Sequence, residues 1–265
     1  MGKERAYLRR LESLAARSLA AAGFPALRIR GGVEPAFAEK RELDLGSRLA
    51  EAEWAVRVLA DDPTVERVGV VGALFGGTVA ALTSERLGLD LMALWQPVLR
   101  GRQYLKYSFR RQAVAALVAE PVGNASNGKK PGKPASPIED LNERGVATVR
   151  GFELGRKAYE EIGEVDLLKD ISTFKGRALL VSVATTTSPD PGMQKLAEHL
   201  ADLGAEPDLN VIVDSLPIAF GECYFRDAGL VRVDLRLELD EKLAAMMAAW
   251  ASELDDRATV ALDRA

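Results

Sequence analysis

Gly69-Val70-Val71-Gly72-Ala73-Leu74-Phe75-Gly76-Gly77 is the stretch on which the fold turns. Val65 to Val71 is rich in β-branched residues and reads as a buried strand. It breaks at Gly72 to Gly77 and runs directly into a small-residue helix, Thr78 to Leu87. A strand that enters G-x-residue-x-G and leaves as a helix lifts its central side chain, strained and exposed, to the top of a sheet. When such a turn carries chemistry, that side chain is Ser, Cys or Asp, because it must attack. Here it is Leu74, which has no lone pair and no proton to give up. Two other readings compete. The spacing of Gly69, Gly72 and Gly76 resembles a dinucleotide-binding turn, which wants a carboxylate at the end of the next strand. That strand ends Ala93-Leu94-Trp95-Gln96 and has none. The plainer alternative is that the glycines only let strand and helix pack closely.

Working outward, the apolar spacing of Tyr7, Leu8, Leu11, Leu14, Ala15 and Leu19 predicts a helix stopped at Gly23. Phe24 to Arg30 reads as a short strand ended by Gly31-Gly32. Ser47 to Leu59 reads as a helix with Leu49, Ala52, Val56 and Leu59 on one face. Leu89 to Trp95 is a second apolar strand. Gln103 to Val118 is helical, with aromatic and basic residues mixed. Residues 121–137 are rich in Pro, Gly, Asn, Ser and Lys and read as a loop. Arg177 to Ala184 and Leu209 to Val213 read as strands around a helix from Met193 to Leu203. Leu230 to Leu239 reads as a strand or a helix start, and Leu243 to Leu254 as a closing helix. The alternation predicts an α/β fold: a mostly parallel sheet with helices on both faces. Residues 1–100 and 173–265 would form its core. Residues 101–172 would be a helical cap inserted at the sheet's carboxyl edge, where ligands sit in such folds.

The whole chain resembles the α/β-hydrolase superfamily, most closely the exosortase-associated hydrolase-like proteins of bacteria. Five stretches carry the resemblance: Ser18 to Ile29, Val68 to Gly76, Ala93 to Leu105, Val149 to Leu154 and Leu196 to Gly204. The most specific is the run from Leu94-Trp95 through Pro97-Val98 and Gly101 to Tyr104-Leu105. The resemblance implies a degenerate catalytic triad. Its acid position falls on Asp190, in the loop Thr185 to Gly192, although Asp before Pro191 is also a natural helix cap. Its histidine should lie near Ser215 to Phe225, a stretch with none. The chain's single histidine, His199, lies inside a predicted helix. Without an imidazole there is no general base for even a replacement nucleophile. The resemblance also places a strand and an oxyanion loop ahead of the first helix, which this chain does not show. The strands at 24–30 and 67–71 would then pair directly, the start would be truncated, or another segment or chain would fill the gap.

Composition narrows the classes. The chain has 265 residues and a net charge of −4, with no footprint for nucleic acid and no run long enough to span a bilayer. One cysteine, Cys223, forbids an internal disulfide and fits a reducing cytoplasm. Nothing suggests a metal or a cofactor. The expected function is therefore non-hydrolytic binding of a small ligand or a protein partner, alone, as a homo-oligomer or as an assembly subunit. The candidate rim is Gly72, Leu74, Phe75, Gly76, Gln96, Tyr104, Tyr107, Asp190, Glu222 and Phe225. Arg100, Arg102, Lys106, Arg110 and Arg111 would favour an anionic ligand or partner, or would be a solvated helix face. The competing reading is an atypical hydrolase, or another enzyme of this fold, using Asp190 or Glu222.

Overall fold

The computed structural model describes residues 2–29, 44–118, 137–149, 152–213 and 237–262. The chain divides into two compact units. The larger comprises Lys3–Gly31, Arg48–Leu99 and Leu167–Ala265; the smaller comprises Met1–Gly2, Gly32–Ser47 and Arg100–Asp166.

The larger unit holds a four-stranded parallel sheet. Its strands are β1 (Val70–Ala73), β2 (Leu91–Trp95), β5 (Arg177–Ala184) and β6 (Glu206–Val213), in the order β1-β2-β5-β6. Helix α3 (Phe75–Leu87) links β1 to β2, and α8 (Pro191–Asp202) links β5 to β6. β2 is buried along its whole length and β5 everywhere but at its ends, as expected of strands covered on both faces. On one face Leu91, Ala93, Trp95, Leu179, Val181, Val183 and Ile212 form a single apolar cluster with side chains of two helices. These are α1 (Gly2–Ala21), through Leu11 and Ala15, and α9 (Leu237–Leu262), through Leu239, Leu243, Met247, Trp250 and Leu254. Strand alternation sends Met92, Leu94, Leu180 and Ser182 to the other face. There α3 and α8 cover the sheet, with Met193, Leu196, Ala197 and Leu200 of α8 buried. The α/β fold with a parallel sheet and helices on both faces is as the sequence predicts.

Several boundaries differ. Residues 24–29 form no strand, because nothing among the described residues offers them a ladder partner. Direct pairing of that segment with the strand at 67–71, one of the three alternatives, is not found among the described residues. β1 begins at Val70, where it first faces Met92 of β2, so residues 65–69 stay outside the sheet. β1 has β2 as its one ladder neighbour among the described residues. Helix α3 starts at Phe75 rather than Thr78, directly at the turn. Pro137, assigned to the loop by composition, instead opens helix α5 (Pro137–Arg144), as its fixed φ suits a first helical position. The rest of that loop lies outside the described residues. Leu237 to Leu239 belong to α9, the helix start that the sequence allowed, and residues 230–236 lie outside the described residues.

The smaller unit contains α4 (Gly101–Val118), α5, α6 (Arg156–Glu164) and the antiparallel hairpin β3 (Val146–Val149) with β4 (Phe152–Gly155). Phe109 of α4 stacks on Tyr159 of α6, with ring centroids 5.9 Å apart. Asp44 caps the first turn of α2 (Leu45–Ala60), accepting from the Ser47 N–H at 2.6 Å. Lys157 of α6 holds the same carboxylate at 2.6 Å. Glu161 accepts from the Leu45 N–H at 2.8 Å. The hydrogen bond from Lys157, helped by Ser47, draws the Asp44 carboxyl down to a pKa of about 2.

Candidate functional site

The turn after β1 is built by close backbone approach. A Cβ on Gly72 would sit 2.2 Å from the Gly76 carbonyl oxygen, and one on Gly77 would meet the Gly72 oxygen and Pro97 at 3.1 Å. Gly76, which the sequence pattern singles out, would tolerate a Cβ in space. The steric requirement thus falls on Gly72 and Gly77. Between them Leu74 is forced to φ 53° and ψ −123°, a region that non-glycine residues rarely enter. Its carbonyl accepts from the N–H groups of Gly77, Thr78 and Val98, and its own N–H donates to the Trp95 carbonyl at 2.9 Å. The Thr78 hydroxyl locks the adjoining segment by donating to the Val98 carbonyl at 2.8 Å. The Leu74 side chain is half-buried and packs against the apolar cluster that contains Trp95.

Gln96 is the second strained residue, at φ 47°. Leu74 and Gln96 are the two non-glycine residues with positive φ among the described residues. They are neighbours, because Leu74 bonds to Trp95 on one side and Val98 on the other. The Gln96 N–H donates to the Val181 carbonyl at 2.9 Å, and its Oε1 accepts from the Val183 N–H at 3.2 Å. The side chain therefore takes the ladder place of the next residue of β2, which has turned away.

Asp190 sits on the same carboxyl edge, where its N–H donates to the buried Ser182 hydroxyl at 3.0 Å. Its Oδ1 accepts from the N–H groups of Gly192 at 2.8 Å and Met193 at 3.3 Å. This is an N-cap of α8, with Pro191 at the first position. His199 lies in α8 and places Nε2 2.8 Å from the Ile171 carbonyl oxygen. Because a carbonyl only accepts, Nε2 must carry the proton.

Gly72, Leu74, Phe75, Gly76, Gln96 and Asp190 thus gather on the carboxyl edge of β1, β2 and β5. Glu222, Cys223 and Phe225 lie outside the described residues. Tyr104 and Tyr107 belong to α4 in the smaller unit. On that helix Arg102, Lys106 and Arg110 are exposed at one-turn spacing, while Arg100 pairs its backbone with Asp166. The side chain of Arg111 lies outside the description. Among the described residues no group of three or more His, Cys, Asp or Glu is placed to hold a metal ion, and no helix is long and apolar enough to cross a membrane. Sequence reading missed the strain at Gln96, whose φ is imposed by its neighbours rather than by its own type. It also missed the buried indole of Trp95, which is 2% exposed and whose N–H has no partner among the described residues.

No protein-family model matches the chain, and no curated protein is significantly similar to it. Among solved structures it is similar to the esterase domain of a Rhodothermus marinus protein, at 13% identity over 91% of this chain and 80% of that one, with a TM-score of 0.47. It is similar to an esterase of Pyrobaculum calidifontis at 14% identity over 89% and 70%, with a TM-score of 0.49. It is similar to Est1E from Butyrivibrio proteoclasticus at 13% identity over 79% and 72%, with a TM-score of 0.46. By its own geometry the chain is an α/β protein: a parallel sheet clothed by helices on both faces, with two strained residues side by side at its carboxyl edge.

Proposed function

We propose that this chain is an α/β-hydrolase-like protein that binds a small ligand at the turn after β1 and does not hydrolyse it. The observation that carries the reading is Leu74. The turn keeps a backbone strain of about 1–3 kcal/mol, yet the side chain it presents is apolar and rests on the core. Strain of this kind persists where the surroundings over-determine it, and it gathers at sites that must hold a fixed shape. Leucine there offers a surface and no chemistry. The single imidazole of the chain supports the same reading, because His199 is engaged by the Ile171 carbonyl. Asp190 is engaged as a helix cap, which counts against its service as a base for an atypical hydrolase. The binding surface proposed is Gly72, Leu74, Phe75, Gly76, Gln96 and Asp190.

The test is incubation of the wild type and of Leu74→Ser with a fluorophosphonate probe and with short-chain para-nitrophenyl esters. Neither protein should be labelled or turn over an ester, since a restored hydroxyl still lacks a base. Labelling of the wild type, or esterase activity in Leu74→Ser, would overturn the reading. Turnover that disappears in Asp190→Asn would favour the enzymatic alternative instead.

A further inference from the structure

We infer that Gln96 is the polar anchor of this site, and that the ligand it selects is a neutral, largely apolar molecule carrying an exposed acceptor oxygen, such as a carbonyl. The inference rests on the binding role proposed for the turn and adds the chemistry of what is bound.

Gln96 has one end of its carboxamide fixed and the other free. Oε1 is committed to the Val183 N–H, and that N–H can be met only by the oxygen end of the amide. The orientation of the group is therefore set by chemistry. Nε2, with two hydrogens to donate, is left without a protein partner among the described residues. The backbone beneath it is held at φ 47° by the Gln96 N–H bond to Val181. A donor set on strained, doubly tethered backbone loses little freedom when it binds, which is how binding sites gain affinity from preorganisation.

A second observation concerns the adjacent residue. Trp95 is 2% exposed, and its indole N–H has no acceptor among the described residues. Burying such a donor unpaired costs about 1–3 kcal/mol. Trp95 belongs to the cluster on which the Leu74 side chain rests. Gln96 Nε2 and the Trp95 indole N–H are both donors. The complement of donors is an acceptor. The charged group on this edge tied into the hydrogen-bond pattern is the Asp190 carboxylate, which disfavours an anion. The half-buried Leu74 and Phe75 supply an apolar floor for the body of the ligand.

The experiment compares two probes of the same shape, acetophenone and α-methylstyrene, in which a carbonyl oxygen replaces a methylene. Side-chain amide signals are followed by nitrogen-15 NMR, and the Gln96 pair is assigned by its loss in Gln96→Glu. Glutamate at this position keeps an oxygen for the Val183 N–H, removes the Nε2 donor and adds a negative charge, which does not by itself discriminate between two neutral probes. Acetophenone should shift the Gln96 amide pair and bind about two- to tenfold more tightly than α-methylstyrene, the worth of one neutral hydrogen bond. In Gln96→Glu that preference should vanish while the melting temperature holds. If both probes bind equally to the wild type, or the preference survives in Gln96→Glu, the inference about Gln96 is wrong and the apolar site stands. If neither probe moves any resonance of the turn, the site itself is refuted and the inference with it.

Discussion

At Leu74 the usual ranking of small residues should invert. Alanine in place of leucine loses side-chain packing and keeps the forbidden φ, whereas glycine loses the packing but relieves the strain. In urea denaturation Leu74→Gly should be at least as stable as Leu74→Ala, by up to about 1 kcal/mol. A clearly less stable glycine variant would mean that the turn relaxes when the side chain is cut back. Asp190 makes a complementary case. Asparagine caps a helix about as well as aspartate, so Asp190→Asn should leave stability nearly unchanged, while Asp190→Ala should cost about 1 kcal/mol. Equal losses in the two variants would point to a role for the charge beyond the cap. These residues also show what sequence can reveal. The absence of a nucleophile at Leu74 and the capping role of Asp190 are properties of residue type in a pattern, and both are readable. The strain at Gln96 is not. Glutamine has no preference for positive φ, and the conformation arises only when β2 ends against β5 and the turn.

At the scale of elements, helices are read more faithfully than strands. The sequence announces α1, α2, α3, α4, α8 and α9, although not the short α5 and α6. A strand boundary depends on where a partner begins, so β1 starts five residues later than its β-branched run suggests. One tie between elements has no sequence signature. Glu85 of α3 accepts from the N–H groups of Ser172, Thr173 and Phe174 and from the hydroxyls of Ser172 and Thr173, at 2.8 to 3.1 Å. These bonds outweigh the effect of partial burial, which acts in the opposite direction, and hold the Glu85 carboxyl below its ordinary pKa. Glu85→Ala should destabilise the larger unit by about 2 kcal/mol, with Glu85→Gln losing less, as measured by thermal or urea unfolding. The turn glycine makes a sharper demand. Gly72→Ala drives a Cβ into the Gly76 carbonyl, and its loss of stability should exceed that of Gly76→Ala, where no atom of the described residues stands in the way.

At the scale of the whole molecule, the fold class was legible, because strand–helix alternation on either side of residues 101–172 points to a parallel sheet with helices on both faces. The division into units was less so. Residues 32–47 are counted with 100–166, a grouping across more than fifty residues that no local pattern announces. What ties Asp44 to α6 is Lys157. The Asp44 carboxyl is depressed from 3.8 to about 2 in the folded chain. Its stabilising effect is thus complete above the unfolded value and is lost as the pH falls toward 2. Allowing for solvent screening at the exposed Lys157, the loss should be about 1 kcal/mol. Acid titration of stability should show this decline in the wild type between about pH 4 and 2. Asp44→Asn should be less stable at neutral pH and lack that part of the decline. An unchanged acid profile in the variant would remove the ion pair from the account.

The hydrogen bond from His199 to the Ile171 carbonyl has a spectroscopic consequence. A chain with one histidine has one set of imidazole resonances, free of overlap and needing no assignment by mutation. Whenever that ring is neutral, its nitrogen spectrum should report the Nε2-protonated tautomer. It thereby gives a built-in reporter on the packing of α8. Ligand binding at the turn should leave that signal in place, and local unfolding around Ile171 should release it.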